Sequence, residues 1–86
     1  MAKTFKFYSD AGHGWLAVKR EFLVNLGVQD KISSYSYQRG KTVYLEEDCD
    51  CSVLISALRQ SGVEFSIKEG KFAERSPIRS YESYHA

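Results

Sequence analysis

Eighty-six residues, 43% hydrophobic and 27% charged with a single proline, make one packed domain and exclude both a second core and a disordered chain. So short a chain buries only about 60 to 65% of its unfolded surface, so sites belong on faces, loops or interfaces rather than in a deep catalytic cleft. The net charge of +1 gives no global pull toward nucleic acid or anionic membrane, yet residues 1–45 carry seven Lys or Arg against three acids, and residues 46–64 carry five acids against Arg59 alone.

From Lys3 to Tyr8 the chain alternates, with Phe5 and Phe7 on one side and Lys6 and Tyr8 on the other, which predicts a half-buried strand. Ser9 to Gly14 is a dense turn signal, and Trp15 to Val18 predicts the returning strand of a hairpin. Val18, Phe22, Leu23 and Leu26 then follow helical spacing up to Gly27, which predicts a first helix over 19–26. A second hairpin is expected from Ser34–Tyr37 and Thr42–Glu47. A three-residue loop, Gln38-Arg39-Gly40, is expected to set Tyr35 opposite Val43 and bring Tyr35 and Tyr37 onto the face of Val43 and Leu45; a two-residue Arg39-Gly40 loop, which demands positive φ at Arg39, would face them away.

Cys51, Leu54, Ile55 and Leu58 define the clearest helix, with Asp48 or Asp50 able to cap it and Gly62 ending it. Val63, Phe65 and Ile67 alternate with polar residues and predict a further strand. Residues 71–86 have no clear period and read as a mobile tail, or as an edge strand near Ile78–Tyr81. The expected fold is thus α+β: a single domain over 1–70 with element order ββαββαβ, an antiparallel sheet and both helices on one face. Its expected core contains Phe5, Phe7, Phe22, Leu23, Leu26, Val43, Leu45, Leu54, Leu58, Phe65 and Ile67. The two strand-strand-helix units each end in Gly-Val, at 27–28 and 62–63, a weak structural echo.

Motifs for chemistry are scarce. Asp48-Cys49-Asp50-Cys51-Ser52 opens like a calcium loop but places Val53 where glycine and Arg59 where glutamate belong. Cys49 and Cys51 lack zinc-knuckle spacing, and with one residue between them a mutual disulfide is strained, so free thiols are expected. Ser9, Asp10 and His13 are triad residue types crowded into one turn, where hydrogen bonding to the backbone is the ordinary role. With no phosphate-binding glycine loop or nucleophile elbow, neither an enzyme nor a cofactor is expected.

Surface residues carry more information. Tyr8, Tyr44, Lys6 and Lys68 fall on outward positions, and the last segment mixes Lys71, Phe72, Arg75, Arg79, Tyr81 and Tyr84, a basic and aromatic set suited to single-stranded nucleic acid. At the first hairpin, His13 is flanked by glycines. Trp15 points away from the core if Leu16 and Val18 face it, which would make His13 and Trp15 contact residues; burial of Trp15 with Ala17 is the alternative.

The runs Lys6-Phe7-Tyr8-Ser9-Asp10-Ala11-Gly12-His13-Gly14-Trp15, Ser36-Tyr37-Gln38-Arg39-Gly40 and Tyr44-Leu45-Glu46-Glu47-Asp48-Cys49-Asp50 resemble small accessory proteins of bacteriophages and plasmids. That resemblance implies a bacterial cytosol and a mobile genetic element, and carries no established activity or functional residue. The expected function is a non-enzymatic protein-binding accessory or regulatory factor, with inhibition of a host defence system as one form. A nucleic-acid-binding regulator is the alternative. Expected contact residues are Tyr8, His13, Trp15, Tyr44, Arg75, Arg79 and Tyr81, with a host or phage protein as partner and no cofactor. A homodimer is expected because one sheet face has no helix to cover it. No apolar run is long enough for a membrane span and the first residues lack an apolar signal core, so the expected location is cytoplasmic.

Overall fold

A computed structural model describes residues 3–70 and 72–86. Among these described residues six strands form one mixed sheet: β1 (Lys3–Ser9), β2 (Gly14–Lys19), β3 (Tyr37–Arg39), β4 (Thr42–Glu46), β5 (Phe65–Glu69) and β6 (Glu82–Ser83), in the spatial order β5-β1-β2-β4-β3-β6. Helices α1 (Arg20–Leu26) and α2 (Cys51–Gln60) touch each other and pack on one face. The α+β class stands, whereas the fully antiparallel sheet does not, because β5 lies parallel to β1. Chain geometry explains this. The α2 crossover carries the chain from β4 past β2 and β1 to the far edge, and it returns in the direction it left. The α1 crossover from β2 past β4 to β3 steps the other way from an oppositely directed strand, so with both helices on one face the two crossovers have the same hand.

The core lies between helices and sheet: Phe5, Leu16, Val18, Leu23, Val28, Ile32, Val43, Leu45, Leu54, Leu58 and Tyr84 are buried, and Phe7, Phe22, Leu26 and Phe65 pack against them. Ile67 departs from expectation. It alternates correctly, but β5 is an edge strand and the residue is 49% exposed. The Gly-Val echo has a local cause. In both helices the valine N–H reaches back to the last turn, Val28 to the Leu23 carbonyl and Val63 to that of Leu58, closing the same left-handed cap and turning an apolar side chain onto the core.

The second hairpin corrects the expected register. Tyr37 faces Tyr44, Gln38 faces Val43 and Arg39 faces Thr42, so the loop is Gly40-Lys41. Gly40 takes φ 59° and no other residue of the turn has positive φ, so a two-residue turn with glycine first fits the strand twist. Tyr35 is therefore outside the strand and 70% exposed, and Tyr37 joins the helix-free face. Gln38 takes the core-side position instead, bonded to Arg20 and, at 2.9 Å, to Glu82.

Residues 72–86 are part of the domain. Ala73 donates to the Ser9 carbonyl, a 3₁₀ turn over Pro77–Ser80 crosses the helix-free face, and β6 pairs with β3. The expected edge strand at 78–81 is thus this 3₁₀ turn, and the strand forms just after it. Tyr84 closes the segment, its N–H donating to Ser36 and its hydroxyl to the Gln29 carbonyl at 2.6 Å. Among the described residues no helix is long and apolar enough to cross a membrane.

Candidate functional site

The register sorts the helix-free face into rows. Tyr8, Trp15 and Glu46 form one row; Lys68, Lys6, Ala17, Tyr44 and Tyr37 form the next. Thr4 beside Ser66, and Lys19 and Arg39 on either side of Thr42, form the third. The segment 72–81 covers the first row and leaves the other two largely open.

Under this strap Trp15 is 2% exposed, which corrects its expected role as an outward contact. Leu16 and Val18 do face the helices and Trp15 does face away from them, but the strap supplies a second apolar layer there, with Ile78 buried at 3%. The anchor is Asp10. One carboxylate oxygen accepts from the Gly12 and His13 N–H groups at 3.0 and 2.9 Å, the other accepts from Ser76 N–H at 3.0 Å, and Arg79 bridges both. The Arg79 hydrogen bond holds the Asp10 carboxyl well below the usual carboxylate range, outweighing the upward push of burial, and Asp10 in turn raises Arg79. Arg79 also lies 5.7 Å from the Trp15 ring centroid. Arg79 is thereby a structural clasp rather than a free contact. His13 is exposed with its ring 6.0 Å from that of Trp15, and Arg75 is exposed on the strap.

Tyr8, Tyr44 and Tyr81 are brought together along the strap's margin. Ring centroids are 6.2 Å apart for Tyr8 and Tyr44 and 5.2 Å for Tyr44 and Tyr81, and the Arg39 guanidinium sits 5.1 Å from the Tyr81 ring. Burial, then the neighbouring Tyr81 and Tyr8, push the Tyr44 hydroxyl up, so it remains a protonated donor. Between these tyrosines and Ser76–Ile78 lies a recess of about 230 Å³. A wider groove of about 710 Å³ runs from Tyr8 and Tyr44 past Lys6, Lys19 and Thr42 to Lys3, with Glu21 of α1 as its one acid. Among the described residues, the acid–base contacts are the Asp10–Arg79 ion pair and a 3.7 Å approach of His85 to Glu82, so Lys6 and Lys19 on the groove, and Arg39 beside Tyr81 on the same sheet face, have no carboxylate partner. Sequence reasoning missed Lys19 and Arg39. The parity of Trp15, Ala17 and Lys19 placed Lys19 on this face, whereas Arg39 depended on the hairpin register. Lys71 lies outside the described residues.

Elsewhere the polar groups serve the fold. Glu46 accepts from the Asp48 and Cys49 N–H groups, and Asp50 accepts from the Ser33 N–H at 3.0 Å and from the Ser33 hydroxyl at 2.7 Å. Among the described residues no three potential ligands cluster to hold a metal ion. Both cysteines are free. The Glu46 carboxylate beside Cys49 and the burial of Cys51 raise their thiols, which disfavours thiolate chemistry. The chain matches no family model, no curated protein and no solved structure.

Proposed function

We propose that this protein is a non-enzymatic binding factor that takes single-stranded nucleic acid on the open part of its helix-free sheet face. The observation that carries this reading is the juxtaposition of Lys6, Lys19 and Arg39, without carboxylate partners, with the Tyr8–Tyr44–Tyr81 wall. Cations track phosphates, aromatic rings stack on bases, and the hydroxyls of Thr4, Thr42 and Ser66 add donors between them. Successive same-face residues on a strand stand about 6.6 Å apart and neighbouring strands about 4.8 Å apart, so the cations are spread over a surface rather than focused on one small anion. An overall charge of +1 makes the attraction local to this face.

Anisotropy titrations with labelled oligo-dT, oligo-U and a duplex test the proposal. Both single strands are expected to bind more tightly than the duplex, with log affinity falling against log salt at a slope of roughly −2 for three phosphate contacts. Lys19→Glu is expected to flatten that slope, and Tyr8→Ala to weaken binding by about 1 to 3 kcal/mol while leaving the slope unchanged. No binding at low salt, or affinity indifferent to Lys19→Glu, overturns the reading. Direct capture of an acidic host or phage protein by the same face, with no oligonucleotide binding, would instead support a protein-binding factor.

A further inference from the structure

Among the described residues nothing pairs with the outer edge of β5, and its residues prescribe a partner. The sheet ends there, with Phe65 half-buried and Ile67 49% exposed on the helix side. Backbone direction is fixed by the neighbouring strand. The Glu64 carbonyl accepts from Lys3 and the Gly70 N–H donates to Phe7, so even-numbered residues turn their polar backbone groups toward β1 while Phe65, Ile67 and Glu69 turn theirs outward.

We propose that this edge pairs antiparallel with the same edge of a second copy, centred on Ser66. An outward-pointing residue must meet another outward-pointing residue, which allows only registers differing by two. Centring on Ser66 sets Phe65 against the second copy's Ile67 twice on the helix side, and Glu64 against its Lys68 twice on the helix-free side. Aromatic against β-branched and opposite charge against opposite charge are the favourable cross-strand pairs. Of the neighbouring registers, the one centred on Ile67 puts Phe65 against Glu69 and Lys68 against Ser66, and the one centred on Phe65 puts Glu64 against Ser66, so neither forms the charge pairs. Within one copy Lys68 lies beside Lys6 and has no carboxylate partner among the described residues, and the second copy's Glu64 relieves that repulsion. The other sheet edge, two-residue β6, offers no comparable length. This association differs in origin from the dimer expected on an uncovered face, since it joins strand edges and leaves that face free. A two-fold axis through the joined edges keeps both helix-free faces on one side, making one continuous twelve-stranded sheet. So short an edge contact makes a weak dimer, so it is sought at high micromolar concentration.

Sedimentation equilibrium without nucleic acid provides the test, against a monomer mass of 9.8 kDa. The unaltered chain is expected to approach twice that mass. Glu64→Lys and Lys68→Glu, both at exposed positions, each convert two attractive pairs into repulsive ones and are expected to weaken association roughly tenfold or more. An equimolar mixture of the two variants restores two complementary pairs and is expected to recover association as a heterodimer. The doubly swapped chain is expected to recover the homodimer. A monomeric unaltered chain overturns the proposal, as does a dimer indifferent to either single substitution or a mixture that fails to reassociate. Circular dichroism of each variant identifies any that has lost its fold, and the mixture then decides on folded chains only.

Discussion

Leu58→Ala is expected to lower the stability of the domain by about 2 to 5 kcal/mol. Leu58 is fully buried on α2 among Leu54, Leu45 and the other core residues, and its backbone carbonyl receives the Val63 N–H that turns the chain out of the helix. The substitution leaves that hydrogen bond intact. What is lost is the transfer free energy of the removed carbons and the contacts of the cavity walls, because a core joining one sheet face to two helices cannot collapse around the gap. Domains of this size are stable by about 5 to 15 kcal/mol, and each kcal/mol moves the melting temperature by about 4 to 8 °C. Thermal denaturation followed by circular dichroism should therefore show a fall of about 10 °C or more. Ile67→Ala supplies the contrast. Half its surface is already in water, and in dilute monomer its cost is expected to stay below about 1 kcal/mol. Equal losses for the two variants would contradict the edge position of β5.

That contrast shows what local sequence can and cannot convey. Apolar spacing identified α2 and the faces of β1 and β5 because a period of 3.6 or 2 is a property of the element itself. Which strands become neighbours depends on where the crossovers land, and nothing in Phe65-Ser66-Ile67 distinguishes an edge strand parallel to β1 from a central antiparallel one. The second hairpin failed for a narrower reason. Gly40 can serve a three-residue loop or stand first in a two-residue turn, and the choice shifts every partner along β3. At the candidate site, Tyr8 and Tyr44 were legible from alternation in well-defined strands. Tyr81 joins them only because the strap is anchored by contacts 66 and 69 residues apart in sequence, between Asp10 and residues Ser76 and Arg79. Trp15 was assigned the right face and the wrong exposure for the same reason, since its cover comes from a segment with no periodicity to announce it.

Asp10→Ala is expected to release that cover. Asp10 is the acceptor shared by both ends of the clasp: it fixes the Gly12–His13 turn and receives Ser76 and Arg79 from the strap. Without the carboxylate, the buried Ser76 N–H and the partly exposed Arg79 guanidinium lose their main partner, and the balance shifts toward solvating them by undocking residues 72–81. Trp15 is the only tryptophan, so its emission reports the event directly. A red-shifted maximum, new sensitivity to iodide and faster proteolysis within 72–81 are expected, with β1, β2 and the helical core retained. The pH dependence has a definite sign. The folded-state value of Asp10 lies below its ordinary value of 3.8, so its stabilising contribution is complete above the unfolded value and is lost progressively as pH falls from there toward the folded one. In the unaltered chain Trp15 should stay covered at neutral and mildly acidic pH and become quenchable only in strong acid, whereas in Asp10→Ala it should be quenchable throughout. Unchanged, blue-shifted emission in the variant at neutral pH would mean that apolar packing of Ile78, rather than the Asp10–Arg79 clasp, holds the strap.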